Sequence, residues 1–148
     1  MHEGLSMDIS GPIVLVDDDE DDHEIFAEAF RSIGIDDSLI RSFYTCSQAL
    51  QYLEATSEKP FIIICDLNLP LMNGLEFRRK INENEYLRRK SIPFVFLSTA
   101  TQPTHVTEAY DLTVQGFFVK PASFNTIQKS FRLIFEYWND CIHPNSVI

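Results

Sequence analysis

The sequence predicts an α/β sandwich, a parallel β-sheet with helices on both faces, and three observations predict it. Five short apolar runs alternate with segments whose apolar residues recur at helical spacing. The third run, 61–65 (FIIIC), is the most continuously apolar, as befits a central strand buried on both faces. The order βαβαβαβαβα shows no internal repeat and no low-complexity linker, which calls for one domain with right-handed crossovers.

The first strand is 13–16 (IVLV), after which Ile25, Phe26, Ala29, Phe30 and Ile33 recur at helical spacing until Gly34 ends the helix. Residues 39–44 make the second strand, and Ser47 can cap a short helix whose inner face is Ala49, Leu50 and Leu53. Pro60 introduces the third strand. The third helix begins near Gly74, carries Leu75, Phe77 and Ile81, and gives way to a polar stretch around 82–90. Pro93 opens the strand 94–97, a helix covers about 104–114, the last strand is 116–119, and a final helix runs from Ser123 to about Asn139. In that helix Ile127, Phe131, Ile134 and Trp138 form one core stripe. Leu133, Phe135 and Tyr137 fall outside it, leaving apolar surface for a partner, with a homodimer as a candidate assembly.

A chain of 148 residues with 45% hydrophobic residues has the size and core of one domain. Its 22 acids against 12 bases give a net charge of -10, which repels nucleic acid and anionic membrane and suits a partner with a basic face. Cys46, Cys65 and Cys141 are odd in number and lack metal-ligand spacing, so they read as reduced thiols of a cytoplasmic protein. No apolar run approaches the roughly 20 residues that cross a bilayer, and the N-terminus has no secretory signal pattern. Residues 1–11 (MHEGLSMDISG) read as a flexible leader in which Met7 is a candidate second start, 12–139 as the domain, and 140–148 as a short tail.

The chemistry lies just past the strands. Asp17 and Asp18 follow the first, Asp66 the third, Thr99 the fourth and Lys120 the fifth. In an open parallel sheet the carboxyl ends of the strands converge on one crevice, which brings these residues together. Three carboxylates in a small volume raise one another's pKa, and Mg²⁺, a hard cation that prefers oxygen ligands, removes the conflict. Three carboxylates with one ammonium leave two negative charges, which one divalent ion balances. A phosphoryl group moving to a carboxylate oxygen has three equatorial oxygens to neutralise, and the metal, Lys120 and the Thr99 hydroxyl could each take one. Asp66 is the best nucleophile, leading the segment DLNLPLMNG in which Pro70 and Gly74 fix a tight loop. The Lys120–Pro121 bond is a candidate for the cis isomer, which would aim the ammonium into the site.

Plainer readings stand beside these. Asp-rich runs are most often solvated loops, Asp66 could cap a turn, Lys120 could be surface charge, and Thr99 or the lesser candidate Ser98 could cap the following turn. Their joint placement at strand ends favours the site. An EF-hand is excluded, since the run has neither the mid-loop glycine nor the spaced glutamate. Arg78, Arg79, Lys80, Arg88, Arg89 and Lys90 read as a solvated face helped by a helix C-terminal dipole, and His23 as polar surface near the mouth of the site.

Four motifs in this order and spacing, IVLVDDDEDD, IIICDLNLPLMNG, FLSTA and FFVKP, resemble the receiver domain of two-component response regulators over about residues 12–139. The resemblance implies a doubly wound, flavodoxin-like fold with five parallel strands in the order 2-1-3-4-5. It implies that Asp66 accepts a phosphoryl group from a sensor histidine kinase or histidine phosphotransfer protein in a Mg²⁺-dependent reaction. By position, Asp18 and Asp66 resemble direct Mg²⁺ ligands, Asp17 a ligand through water, and Asn68 a ligand through its backbone carbonyl. Thr99 and Lys120 resemble the phosphate-binding pair, with Ala100 leaving room beside them. Thr99 and Phe117 resemble the switch pair, Phe117 standing where a tyrosine is frequent and so needing no hydroxyl partner. Asp19, Glu20, Asp21 and Asp22 extend the acidic run, and which of them touches the site is left open.

The expected protein is a stand-alone response regulator that slowly hydrolyses its own acyl phosphate and does not turn over an external substrate. With only 140–148 after the domain, its output would be a protein contact with a downstream target or onward phosphotransfer. The alternative is a receiver-fold adaptor that works without phosphorylation. A hydrolase of the haloacid dehalogenase type would need a second acid two residues after the nucleophile, where Asn68 stands.

Overall fold

The computed structural model describes residues 8–99 and 102–147. Its strands are β1 (Ile13–Val16), β2 (Ile40–Phe43), β3 (Ile62–Cys65), β4 (Phe94–Ser98) and β5 (Gly116–Val119). All neighbours pair parallel, in the order β2-β1-β3-β4-β5, the doubly wound arrangement expected from the sequence. Its helices are α1 (Glu20–Ser32), α2 (Cys46–Ala55), α3 (Gly74–Glu83), α4 (Glu85–Lys90), α5 (Pro103–Asp111) and α6 (Phe124–Asp140).

The period-2 alternation of strand side chains divides the core into two layers. Ile13, Leu15, Ile62, Ile64, Val95 and Leu97 face α1 and α6, where Phe30 and Phe131 stack with centroids 4.4 Å apart. Val14, Val16, Ile63, Cys65, Phe94 and Phe96 face the other way, onto α2, α3, α4 and α5. Both layers are sealed, so β1, β3 and β4 are buried along their whole length. Among the described residues no helix is long and apolar enough to cross a membrane.

Four local expectations need correction. Residues 85–90 are helical: Asn84 ends α3, and its side chain then accepts from the Leu87 backbone N–H to start α4. Thr45, not Ser47, caps α2, accepting from the Gln48 N–H at 3.1 Å. Phe135 is wholly buried, because α6 meets both the sheet and α1 and its apolar stripe is wider than one row of side chains. Leu133 and Tyr137 are exposed, as expected. The peptide bond before Pro121 is trans, there being no cis bond among the described residues.

Both ends of the described chain pack near the start of β3. Ile9 rests on the core, and a Cβ on Gly11 would strike the Lys59 carbonyl. His143 is buried, stacks on Phe61 at 4.4 Å and donates from Nε2 to the Phe61 carbonyl at 2.7 Å. Asn145 donates to the carbonyls of Lys59 and Pro60.

Candidate functional site

Strand register places the site. Val16 pairs with Cys65, so Asp17 and Asp66 leave the sheet side by side, the Asp66 N–H donating to the Val16 carbonyl at 2.9 Å. Ser98 pairs with Val119, which sets Thr99 beside Lys120, whose N–H donates to the Ser98 carbonyl at 2.9 Å. The loop after Asp66 is drawn tight by Leu67, whose carbonyl accepts from the N–H groups of Leu69 and Gly74. Gly74 is required there by space. A Cβ would stand 2.6 Å from the Phe96 ring and 2.7 Å from the Asp66 carbonyl, so α3 can begin directly against the backbone that carries Asp66. Asn73 and Glu76 close the turn with a reciprocal capping box.

At this edge carboxylate oxygens of Asp17, Asp18 and Asp66 lie within 4.8 Å of one another. Asp17 is buried, Asp66 half-buried and Asp18 exposed. Lys120 Nζ donates to Asp66 Oδ2 at 3.0 Å, Asp17 Oδ2 at 2.9 Å and Asp22 Oδ2 at 2.7 Å. It makes this reach over a trans bond to Pro121, without the cis geometry considered from the sequence. Asp22 thus answers which of the further acids touches the cluster. Asp19 instead caps α1, accepting from the Asp21 N–H, while its own N–H donates to Asp17 Oδ1 at 2.9 Å.

Burial pushes the Asp17 carboxyl above its ordinary pKa, against the opposing pull of the Asp19 N–H and Lys120. Burial alone would depress the Lys120 ammonium. The hydrogen bonds to Asp22, Asp17 and Asp66 together outweigh it, and its pKa rises above the ordinary value. Four carboxylates around one ammonium still leave excess negative charge. The donors of the cluster are all hard carboxylate oxygens, closely spaced and open to solvent at Asp18, which suits a divalent hard cation that keeps part of its water shell.

Of the remaining expected residues, Asn68 and Thr99 sit at the rim. Asn68 is exposed, and its backbone N–H donates to Asp66 Oδ1 at 3.2 Å. Thr99 is exposed at the end of β4. Phe117 is partly buried on β5, its ring 5.7 Å from that of Phe96. Ala100 lies outside the described residues. His23 corrects the reading of polar surface: it is 7% exposed, packs on Tyr44 at 4.5 Å and donates from Nε2 to the Asp17 carbonyl at 2.7 Å, tying α1 to the turn that carries the acids. Neither Asp22 nor His23 carries a spacing signal that separates it from its neighbours in DDDEDDHE; only the start point and rotation of α1 select them.

The family model for the response regulator receiver domain matches residues 13–132. The probable methanogenesis regulatory protein FilR2 of Methanothrix harundinacea is 31% identical over 130 residues, covering 85% of this chain and 82% of its own. Response regulator Rcp1 of Synechocystis is 29% identical over 135 residues, covering 88% of this chain and 90% of its own. Among solved structures, the phosphorylated cyanobacterial phytochrome response regulator RcpA superposes with a TM-score of 0.75 at 28% identity, over 86% of this chain and 93% of that one. The Mn(2+)-bound form of Rcp1 gives a TM-score of 0.75 at 28% identity, over 86% and 94%.

Proposed function

Because the chain belongs to the response regulator receiver domain family of two-component systems, we propose that Asp66 accepts a phosphoryl group from the phosphohistidine of a sensor histidine kinase or histidine phosphotransfer protein. The observation that carries this reading is the Lys120 ammonium, hydrogen-bonded at once to Asp66 and to the acids of β1 and α1. A carboxylate so placed at the mouth of the sheet is half-buried, with a cation on one oxygen and the Asn68 N–H on the other.

In the transfer a carboxylate oxygen of Asp66 attacks phosphorus while the P–N bond to imidazole breaks, the imidazole nitrogen keeping the electron pair. Asp17, Asp18 and Asp66, with the Asn68 carbonyl, would hold Mg²⁺, which supplies positive charge to the phosphoryl oxygens and relieves the repulsion among the carboxylates. Lys120 exchanges one of its carboxylate contacts for a phosphoryl oxygen. Thr99, beside it at the end of β4, donates its hydroxyl to another. Movement of Thr99 leaves room for Phe117 to turn inward against Phe96, changing the face formed by α5, β5 and α6, and slow hydrolysis of the acyl phosphate resets it.

The readout is a protein contact or onward phosphotransfer in the cytoplasm. The net charge of -10 selects a downstream partner with a basic face, and exposed Leu133 and Tyr137 on α6 offer a second copy an apolar contact. The test is intact-protein mass after incubation with acetyl phosphate, with and without Mg²⁺, on wild type and Asp66→Asn. A metal-dependent adduct on the wild type alone supports the reading. An adduct that persists in Asp66→Asn overturns the assignment, and partner binding indifferent to phosphodonor and Mg²⁺ would mark an adaptor instead.

A further inference from the structure

The end of the sheet opposite the acidic cluster gathers a second set of charges. Arg78 of α3 is only 7% exposed. Its guanidinium lies over the Phe94 ring, 5.2 Å from the centroid. Nε donates to the Leu112 carbonyl at 3.0 Å, and Nη2 donates to the carbonyl and hydroxyl of Thr113 at 3.1 and 3.3 Å. Burial lowers its pKa to about 10, which leaves it charged at neutral pH. Among the described residues no carboxylate pairs with it, and Nη1 has no hydrogen-bond partner.

Arg78 lines a cavity of about 440 Å³ with a second cation, Arg88 of α4, and with Ser91 and the apolar side chains of Ile81, Leu87 and Ile92. Arg88 has no acid partner among the described residues either; the ion pair on its helix belongs to Arg89 and Glu85. The side-chain amides at the cavity are committed elsewhere. Asn82 donates to the Leu112 carbonyl at 3.0 Å, and Gln115 accepts from the Phe94 N–H at 2.6 Å while donating to the Thr113 carbonyl at 3.0 Å. Capping the carbonyls at the end of α5 accounts for three of the Arg78 N–H groups. It does not account for the uncommitted Nη1 or for a second guanidinium on the same cavity.

We propose that this cavity binds a small organic anion, a carboxylate or phosphate monoester with a compact apolar body. Arg78 Nη1 and the Arg88 guanidinium hold the oxyanion, and Ile81, Leu87 and Ile92 cover the apolar part. Guanidinium groups match the fork of an oxyanion, and a half-desolvated pair of them strengthens that match. The volume falls within the roughly 300–1,000 Å³ of small-molecule sites. The site is distinct from the acidic cluster, since the length of β4, roughly 3.3 Å per residue, separates them.

The test follows backbone amide chemical shifts of the whole chain, without Mg²⁺ and at fixed ionic strength, during titration with benzoate, with phenyl phosphate and with benzyl alcohol as the neutral control. Saturable shifts at Ser91, Thr113 and Gln115, with Asp17 and Asp66 unmoved, are expected for at least one anion, and the two arms distinguish carboxylate from phosphate. Benzyl alcohol should bind at least ten-fold more weakly. Arg88→Glu, whose side chain lies on the surface, should weaken the anion at least ten-fold while leaving phosphorylation of Asp66 unchanged; Arg78→Lys, which keeps the charge and loses the fork, should also weaken it. Shifts that never saturate, an equal response to benzyl alcohol, binding undiminished in Arg88→Glu, or shifts centred on Asp66 and Lys120 would each overturn the proposal.

Discussion

Lys120 Nζ stands 2.7 Å from Asp22 Oδ2, closer than to Asp17 at 2.9 Å or Asp66 at 3.0 Å. The ammonium is therefore shared between the first turn of α1 and the ends of two strands. A cation divided among three acids is less available to any newcomer on Asp66.

Replacing Asp22 with Asn removes one claimant. Charge-assisted hydrogen bonds contribute on the order of 1–3 kcal/mol, of which part would be recovered by a phosphoryl oxygen, so phosphorylation from acetyl phosphate should quicken by about two- to ten-fold. Initial rates at saturating Mg²⁺ measure it. An unchanged or slower rate would show that Asp22 serves only the start of α1.

Lys120→Ala should leave Asp17, Asp22 and Asp66 without their shared cation. Breaking such a buried arrangement should cost about 1–3 kcal/mol in metal-free buffer. If ammonium and metal compete for the same oxygens, Mg²⁺ should raise the melting temperature of the variant more than that of wild type. Thermal unfolding with and without MgCl₂ tests this, and equal shifts in both proteins would rule the competition out.

Gly74→Ala sets two effects against each other. Alanine is the better helix former by about 1 kcal/mol, but its Cβ would press on the Phe96 ring and the Asp66 carbonyl, and overpacking of that kind costs about 1–3 kcal/mol. Net destabilisation in urea is expected, with slower phosphorylation because Asp66 must move. A variant as stable and as fast as wild type would contradict the close packing.

The pH dependence is clearest at Glu58. Arg41 donates to both its carboxylate oxygens, at 3.0 and 2.6 Å, and the Tyr52 hydroxyl donates at 2.6 Å; these bonds hold its pKa down to about 2 from an ordinary 4.5. A depressed acid pKa stabilises the fold above the unfolded value and loses that contribution as pH falls. The stability gap between wild type and Glu58→Gln should therefore be full above pH 4.5 and shrink towards pH 2. Because the pair is partly exposed, about 1 kcal/mol or less is expected. Unfolding free energies across that range decide it, and a gap independent of pH would refute the linkage.

What could be read from the chain and what could not divides along local and nonlocal order. Runs such as IVLV and FIIIC announce buried strands because both faces must be apolar, and the acids, hydroxyl and lysine just beyond them announce a common edge because parallel strands end together. The helix α4 was also within reach, since Asn84, an acid at the first position and three bases at the end form a capped helix in miniature. It was obscured by polarity, for only Leu87 of its six residues is buried.

By itself the sequence determined the α/β class, the five strands and the identity of the residues at their carboxyl ends, all properties written in short-range pattern. Tertiary structure alone decided that Asp22 and not its neighbours reaches Lys120, that His23 is buried against the Asp17 carbonyl, and that Arg78 is enclosed without an acid. The reason is physical: the six consecutive acids of residues 17–22 look alike along a chain, and only the rotation of a packed helix and the register of a neighbouring strand choose which is taken out of water.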